Sequence, residues 1–345
     1  MTFRTALAAA ALAVAALAPA AASAADVALE QRPSTVASYQ GILAWSHYDS
    51  ATGRYQLMIQ RPGQAAAPAP VPATSDPFDV DLGGSRAGTP TAVYTRCTTP
   101  GAPAGAKDAN PRPGRGCDIY RYVLGSAGEY PVGWLSAPKA DERQPTIARG
   151  QIAFVRRENA RTETIRIGDA TSAVHGSRVL VKVDARKQSL EDPRLAFGPK
   201  LPHGSLAYVL GDPGPYGFHR ARVRVLDLNA RSSVNAYTAV SGGANAANVT
   251  RPSWDPFSGL LYFARTNDGS GKGNRFVRWS HATQRLTYAQ GDRFAETAAW
   301  IAPSAGLFVG DALAQSACLG NLNDPPEKSL CGLSTTGPLS FTAQP

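Results

Sequence analysis

An all-β fold, a six-bladed β-propeller of antiparallel sheets, is what this sequence predicts, and three observations carry the prediction. Short apolar runs rich in β-branched and aromatic residues recur every 46 to 59 positions, near Leu43, Val93, Ile152, Leu206, Leu261 and Leu307. Most are followed by a turn and then by a strand of alternating character. The 345 residues include 33 Gly and 27 Pro but only 18% charged residues, which suits turn-rich β structure and excludes a charged disordered chain or long exposed helices.

Taken in chain order, the first element is not part of the fold. Met1 to Ala24 reads as a cleaved secretory signal peptide, with Arg4 as the positive start, Ala6 to Ala18 as the apolar stretch and Ala22-Ser23-Ala24 as the cleavage site. A membrane anchor needs about 20 strongly apolar residues, whereas this run is mostly alanine and contains Pro19. The expected product is secreted or extracytoplasmic, has no transmembrane span, and forms one β-propeller domain over residues 25–345.

The repeated unit begins with Gly41-Ile42-Leu43-Ala44-Trp45 and returns as Ala92-Val93-Tyr94, Gln151 to Val155, Ser205 to Val209, Leu260 to Phe263 and Gly306 to Val309. Its second strand reads Tyr55 to Ile59, Asp118 to Tyr122, Glu163 to Ile167, Arg222 to Leu226 and Arg275 to Trp279, and some units add a third, Val179 to Lys182 or Arg285 to Tyr288. A period near 50 with three or four strands per unit marks a propeller, in which each small sheet buries its faces against the next. Six anchors imply six blades. Pro62 to Asp76 and Thr98 to Gly116 read as surface loops that interrupt the period.

Four cysteines, Cys97, Cys117, Cys318 and Cys331, allow three pairings. In an oxidising compartment the economical one joins Cys97 to Cys117 and Cys318 to Cys331, clipping two loops. The net charge is +9, and Arg4 would leave with the signal peptide. The basic residues are scattered along the chain without aromatic interleaving, so nucleic acid is not expected as a partner. No nucleophile elbow, zinc-protease helix, phosphate loop or calcium loop is present. Gly269 to Gly273 departs from a phosphate loop, Asn321 to Asp324 with Glu327 reads as a solvated loop, and Asn248-Val249-Thr250 is a bare glycosylation sequon. His47, His175, His203, His219 and His281 are dispersed, although His203 and His219 bracket a loop and could meet. No metal and no cofactor are expected.

The stretch Thr250-Arg251-Pro252-Ser253-Trp254-Asp255-Pro256-Phe257-Ser258-Gly259 and the strand after it resemble the repeat of TolB-like and WD40-like (PD40) propellers, whose pattern is P-x-W-S-P-D-G before an apolar strand. Gln144-Pro145-Thr146 and the segment around Trp300 look like weaker copies. The resemblance implies a free-standing propeller without the N-terminal domain of TolB, since only about 15 residues lie between the cleavage site and the first strand. It also implies that residues entering each innermost strand face the mouth of a central channel. Here they are Asp79, Asp81, Asp141, Glu142, Arg143, Glu191, Asp192, Arg194, Arg251 and Glu296.

Glu142, Arg143, Asp192, Arg194, Arg251 and Glu296 are therefore the candidate ligand-binding residues, with no catalytic residue assigned. The leading expectation is a non-catalytic exported binding protein, a monomer, that engages a protein or an anionic envelope polymer. The alternative is a propeller enzyme of lactonase, lyase or glycosidase type that uses the channel-mouth carboxylates. Carboxylates each paired with an arginine would favour the binder.

Overall fold

The computed structural model describes residues 26–30, 36–101, 114–172, 176–214, 217–240, 249, 251–265, 275–289, 297–302, 306–311, 331–335 and 341–342. Nearly all of them are strand or turn. The helix among them is a single 3-10 turn, Gly133–Leu135.

Antiparallel blades follow one another along the chain, and within each the order in space is the order in sequence. Blade 1 is Val36–Tyr39, Ile42–Asp49, Arg54–Gln60 and Ala67–Pro68. Blade 2 is Asp81–Gly84, Pro90–Thr99, Arg115–Val123 and Tyr130–Pro131. Blade 3 is Asp141–Ala148, Gln151–Asn159, Thr162–Asp169 and Ser177–Asp184. Blade 4 is Ser189–Gly198, Leu201–Gly214, Gly217–Asp227 and Ser233–Val240. Blade 5 is Ser253–Asp255, Leu260–Arg265, Arg275–Ser280 and Leu286–Ala289, with Phe341–Thr342 added at its outer edge.

This corrects the expected count of six blades to five. Four apolar cores lie between these five blades, one at each junction. The unit anchored at Leu307 is completed differently from these five. Its strands Thr297–Ala302 and Gly306–Asp311 pair onward with Cys331–Thr335, and that strand pairs with Asp26–Glu30 from the other end of the sequence. That further sheet is described in its backbone alone and has no described core. A short apolar run near position 307 satisfies the strand pattern whatever follows it, which is why spacing overcounted.

Strand alternation builds the cores. In blade 3, Ile152 and Phe154 face blade 2 while Ala153 and Val155 face blade 4, and all four are fully buried. Each such side chain contributes roughly 1.5–3 kcal/mol by leaving water. Two of the hairpins between first and second strands turn through paired positive-φ residues, Gln40-Gly41 (51° and 81°) and Arg149-Gly150 (48° and 72°). These are the mirror-image turns that match strand twist.

The apolar anchors form the second strand of each blade, not the innermost. Hydrophobic runs report the strand with a core on both faces, whereas the innermost strands are short in blades 1, 2 and 5 and carry charged residues before a proline in blades 3 and 4. A second correction concerns Pro62 to Asp76, which is no mere loop: Ala67–Pro68 is the outer strand of blade 1, and Thr74 bridges to Tyr55. His203 and His219 do not meet. Their strands pair antiparallel through Ser205↔Asp227 and Asp212↔Arg220, which places the two histidines towards opposite ends of blade 4.

Cys97 and Cys117 are cross-strand partners in blade 2 and form a disulfide at the base of the 98–116 loop. The side chain of Cys331, and all of Cys318, lie outside the described residues. So do the signal segment, Asn248, Gly269 to Gly273 and the Asn321 to Glu327 stretch. Among the described residues, no helix is long and apolar enough to cross a membrane.

Candidate functional site

The innermost strands of blades 2 to 5 carry a polar network whose geometry is set by X-Pro steps. In blade 3 the pairing slips between Arg143 and Thr146, and in blade 4 between Glu191 and Arg194, so Gln144-Pro145 and Asp192-Pro193 bulge out of the ladder. Proline has no N–H to donate, so the ladder steps around it. The residues before these prolines, Gln144 and Asp192, take φ of 50° and 49°, a region that non-glycine residues enter rarely. Arg251-Pro252 holds the corresponding place at the start of blade 5.

The result is two linked tiers. In the upper one, Asp79 accepts hydrogen bonds from the Thr95 N–H (2.7 Å), the Thr95 hydroxyl (2.7 Å) and the Gln144 N–H (2.6 Å). The Gln144 side-chain oxygen accepts from the Asp192 N–H at 3.0 Å, and Asp192 lies 3.9 Å from Arg251 Nε. In the lower tier, Asp81 accepts from Thr146 Oγ1 (2.6 Å) and the Ile147 N–H (3.0 Å), and pairs with Arg194. Thr146 Oγ1 accepts in turn from the Leu195 N–H at 3.0 Å. One buried carboxylate thus ties blades 2, 3 and 4 together. Arg251 crosses from blade 5 to donate to the Val80 carbonyl at 2.8 Å.

Two cavities, the upper and lower mouths, lie at opposite ends of the innermost strands. Where the innermost strands enter, a cleft of about 760 Å³ is lined by Arg54, Arg96, Arg143 and Arg157 and by Asp76, Asp79, Asp141 and Glu191, with the disulfide in its wall. Four positive side chains face four negative ones. Burial, with Asp192 beside it, pushes the Glu191 carboxyl up to about 7. Burial also raises Asp192, against the pull of Arg251. At the other mouth, a cavity of about 530 Å³ is walled mainly by apolar side chains and reached by Arg86, Arg149 and Arg194.

The predicted site residues divide between these places. Arg143 lines the upper cleft and pairs with the buried Glu163, which also takes the Leu190 N–H at 2.6 Å. Arg194 lines the lower cavity, and Asp192 and Arg251 pair with each other and line neither cavity. Glu142 is not at the mouth. It is fully buried, accepting from Arg156 Nε at 2.7 Å and the Ala137 N–H at 3.2 Å. Its second oxygen has no hydrogen-bond partner, and burial pushes the carboxyl up to about 7 despite Arg156. Strand alternation explains the split, since neighbours on one strand face opposite sides. Glu296 lies outside the described residues. The sequence reading passed over Gln144 and Thr146, and the X-Pro step before each inner strand was the signal that pointed to them. Among the described residues, no group of three or more His, Cys, Asp or Glu side chains is placed to hold a metal ion.

No family model matches the chain, and no curated protein matches it. Solved structures do share the fold. TolB from Acinetobacter baumannii is 13% identical with a TM-score of 0.51, over 87% of this chain and 65% of that one. The WD40 repeats of RRP9 are 11% identical with a TM-score of 0.50, over 94% and 99%. The SapL1 lectin, solved with alpha methyl fucoside, is 8% identical with a TM-score of 0.52, over 90% and 94%. The chain therefore spans less than two thirds of the TolB chain, and only 34% of a prolyl endopeptidase that it also matches. At these identities the likeness is one of fold.

Proposed function

We propose that this protein is an exported, non-catalytic binding propeller that engages an anionic envelope polymer or an acidic protein surface at the upper mouth of its channel. The observation that supports this most is the state of the carboxylates. Asp81 is paired with Arg194, Glu142 with Arg156, Glu163 with Arg143 and Arg157, and Asp192 with Arg251. None of these four lines the upper cleft, where Asp76, Asp79 and Asp141 each accept a backbone N–H instead, and carboxylates committed in either way are poor nucleophiles or bases. The net charge of +9 draws an anionic partner. The cross-strand disulfide agrees with an oxidising compartment. In this reading Arg143 and Arg157 meet the partner, while Asp192, Arg194 and Arg251 hold the wall behind them.

A propeller enzyme is the second reading, favoured by Glu191, whose carboxyl at about 7 could deliver a proton in the upper cleft. Titration calorimetry against polygalacturonate and neutral dextran separates the two. The binder is expected to take the polyanion, to lose it with rising salt, and to lose about 1–3 kcal/mol of binding in Arg143→Ala. Turnover of lactones or glycosides that vanishes in Glu191→Gln would overturn it.

A further inference from the structure

We infer that the lower mouth of the channel is a second binding site, for a small amphiphilic carboxylate with an aliphatic or aromatic body, independent of whatever the upper mouth engages. The cavity there holds about 530 Å³, in the range of pockets that enclose small ligands. Its walls come from four blades and the inner hairpins: Leu82, Ile147, Leu195, Phe197, Trp254 and Phe257. Phe257 stands 57% exposed at the rim, a large apolar side chain left open to water. An apolar body entering here would cover it.

Charge selects the other half of the ligand. Three guanidiniums, Arg86, Arg149 and Arg194, face this cavity against one carboxylate, Asp81. Asp81 is already saturated, since one oxygen takes Thr146 Oγ1 and the Ile147 N–H and the other takes Arg194. The Asp81–Arg194 pair is close to neutral as a unit and Arg86 pairs with Asp169, so the excess positive charge at this cavity is that of Arg149. Arg194 sits at the floor with a side chain 8% exposed, and its Nε is buried without a hydrogen-bond partner. A buried guanidinium with an unused donor is the less comfortable member of its pair, and Arg251 beside it adds to the local positive charge. Arg149 has no carboxylate partner among the described residues. Its guanidinium lies 5.5 Å from the centre of the Phe197 ring, held over an aromatic wall with its edge donors free to swing inward. A carboxylate seated between Arg149 and Arg194, with its apolar tail against Leu82, Leu195 and Phe257, would meet donors with its head and apolar walls with its body.

The upper mouth offers a built-in contrast, because four arginines there face four carboxylates. A carboxylate amphiphile therefore has one preferred mouth. The test titrates the full chain with decanoate and with decanol, following heat and the fluorescence of Trp254 in the cavity wall. Decanoate is expected to bind at least tenfold more tightly than decanol. Arg149→Gln should cost decanoate about tenfold while leaving decanol unchanged, the effect of one charge-assisted hydrogen bond. Phe257→Ala should weaken both by a few fold, and Arg143→Ala at the other mouth should leave both alone. Arg149 and Phe257 both lie exposed at the rim of the cavity, so circular dichroism should show the fold intact in those two variants. Arg194→Lys, which keeps the charge facing Asp81 but removes the planar fork, should also lose decanoate. Equal affinity for acid and alcohol, no binding of either, or decanoate binding unmoved by Arg149→Gln would each overturn the proposal.

Discussion

The two mouths lie at opposite ends of the innermost strands, yet they are built for different company: the lower is lined by those strands and their hairpins, the upper also by second and third strands and outer loops. At the upper mouth four arginines and four carboxylates share a polar cleft, and the strands enter through X-Pro bulges that turn charged side chains into it. At the lower mouth the strands leave through tight hairpins, the walls are apolar, and the arginines outnumber the carboxylate. The difference follows from where proline and glycine fall. Proline at strand entry frees the backbone to bulge and display polar groups, whereas glycine at strand exit lets neighbouring strands close on one another. Gly83 shows how closely: a Cβ there would lie 1.9 Å from the Ile147 carbonyl oxygen.

Asp81 stands between the two mouths, and breaking it should have the largest effect of all. Asp81→Ala leaves Arg194 buried and unpaired and takes acceptors from Thr146 and Ile147. A loss of about 3–5 kcal/mol is expected in urea denaturation. A loss under 1 kcal/mol would mean that the mouths are held apart by packing alone.

Reduction of the Cys97–Cys117 bond acts on the upper mouth only. The bond closes a separation of 20 residues, so its loss should cost on the order of 3 kcal/mol in the chain-entropy model. Upper-mouth binding should fall with it, and decanoate binding should not. Gly83→Ala is its lower-mouth counterpart, costing about 3 kcal/mol as blades 2 and 3 are forced apart.

How far could this have been read from the sequence? The second and third strands were legible because Ile152 to Val155 or Arg222 to Leu226 pack on neighbours and carry the apolar pattern that packing requires. The innermost strands were not, because Asp141–Ala148 and Ser189–Gly198 look like charged, proline-bearing loops. Their charged residues were expected at a channel mouth, but which face each one takes depends on a bulge that single-residue patterns do not mark. Glu142 was therefore placed at the mouth and lies beneath it. The lower cavity left no trace, since Leu82, Leu195 and Phe257 come from three separate blades and each alone resembles an ordinary strand or turn residue. The blade count failed at the sheet that joins distant parts of the chain, where no local period exists.

The upper mouth and the buried Glu142 beneath it should also report pH, and the lower mouth should not. Glu142 and Glu191 are held at about 7 by burial, above the ordinary carboxylate value near 4.5. Between roughly pH 4.5 and 7 the unfolded chain therefore releases protons that the folded chain keeps, so stability falls as pH rises through that window and levels above it. Thermal melts should give a lower Tm at about pH 8 than at about pH 5, and Glu191→Gln should flatten part of the slope. A Tm that stays flat across the same window would show these carboxyls to be already ionised in the fold at pH 5 and overturn the expectation.

The smallest effect expected is also the one that best separates field from contact at the lower mouth. Arg86 pairs with Asp169 at 2.7 Å, but its side chain is 74% exposed, so the pair is screened by water and contributes little to the fold. Arg86→Ala should leave the Tm unchanged within about 1 °C, as expected of a surface substitution. Its charge still adds to the potential over the cavity, and that contribution fades beyond a Debye length of about 8 Å at physiological salt. Decanoate affinity in this variant should then drop by less than about twofold at physiological salt and more at low salt. A large, salt-independent loss would instead make Arg86 a direct partner of the carboxylate, and would move the head group from the channel floor to the rim.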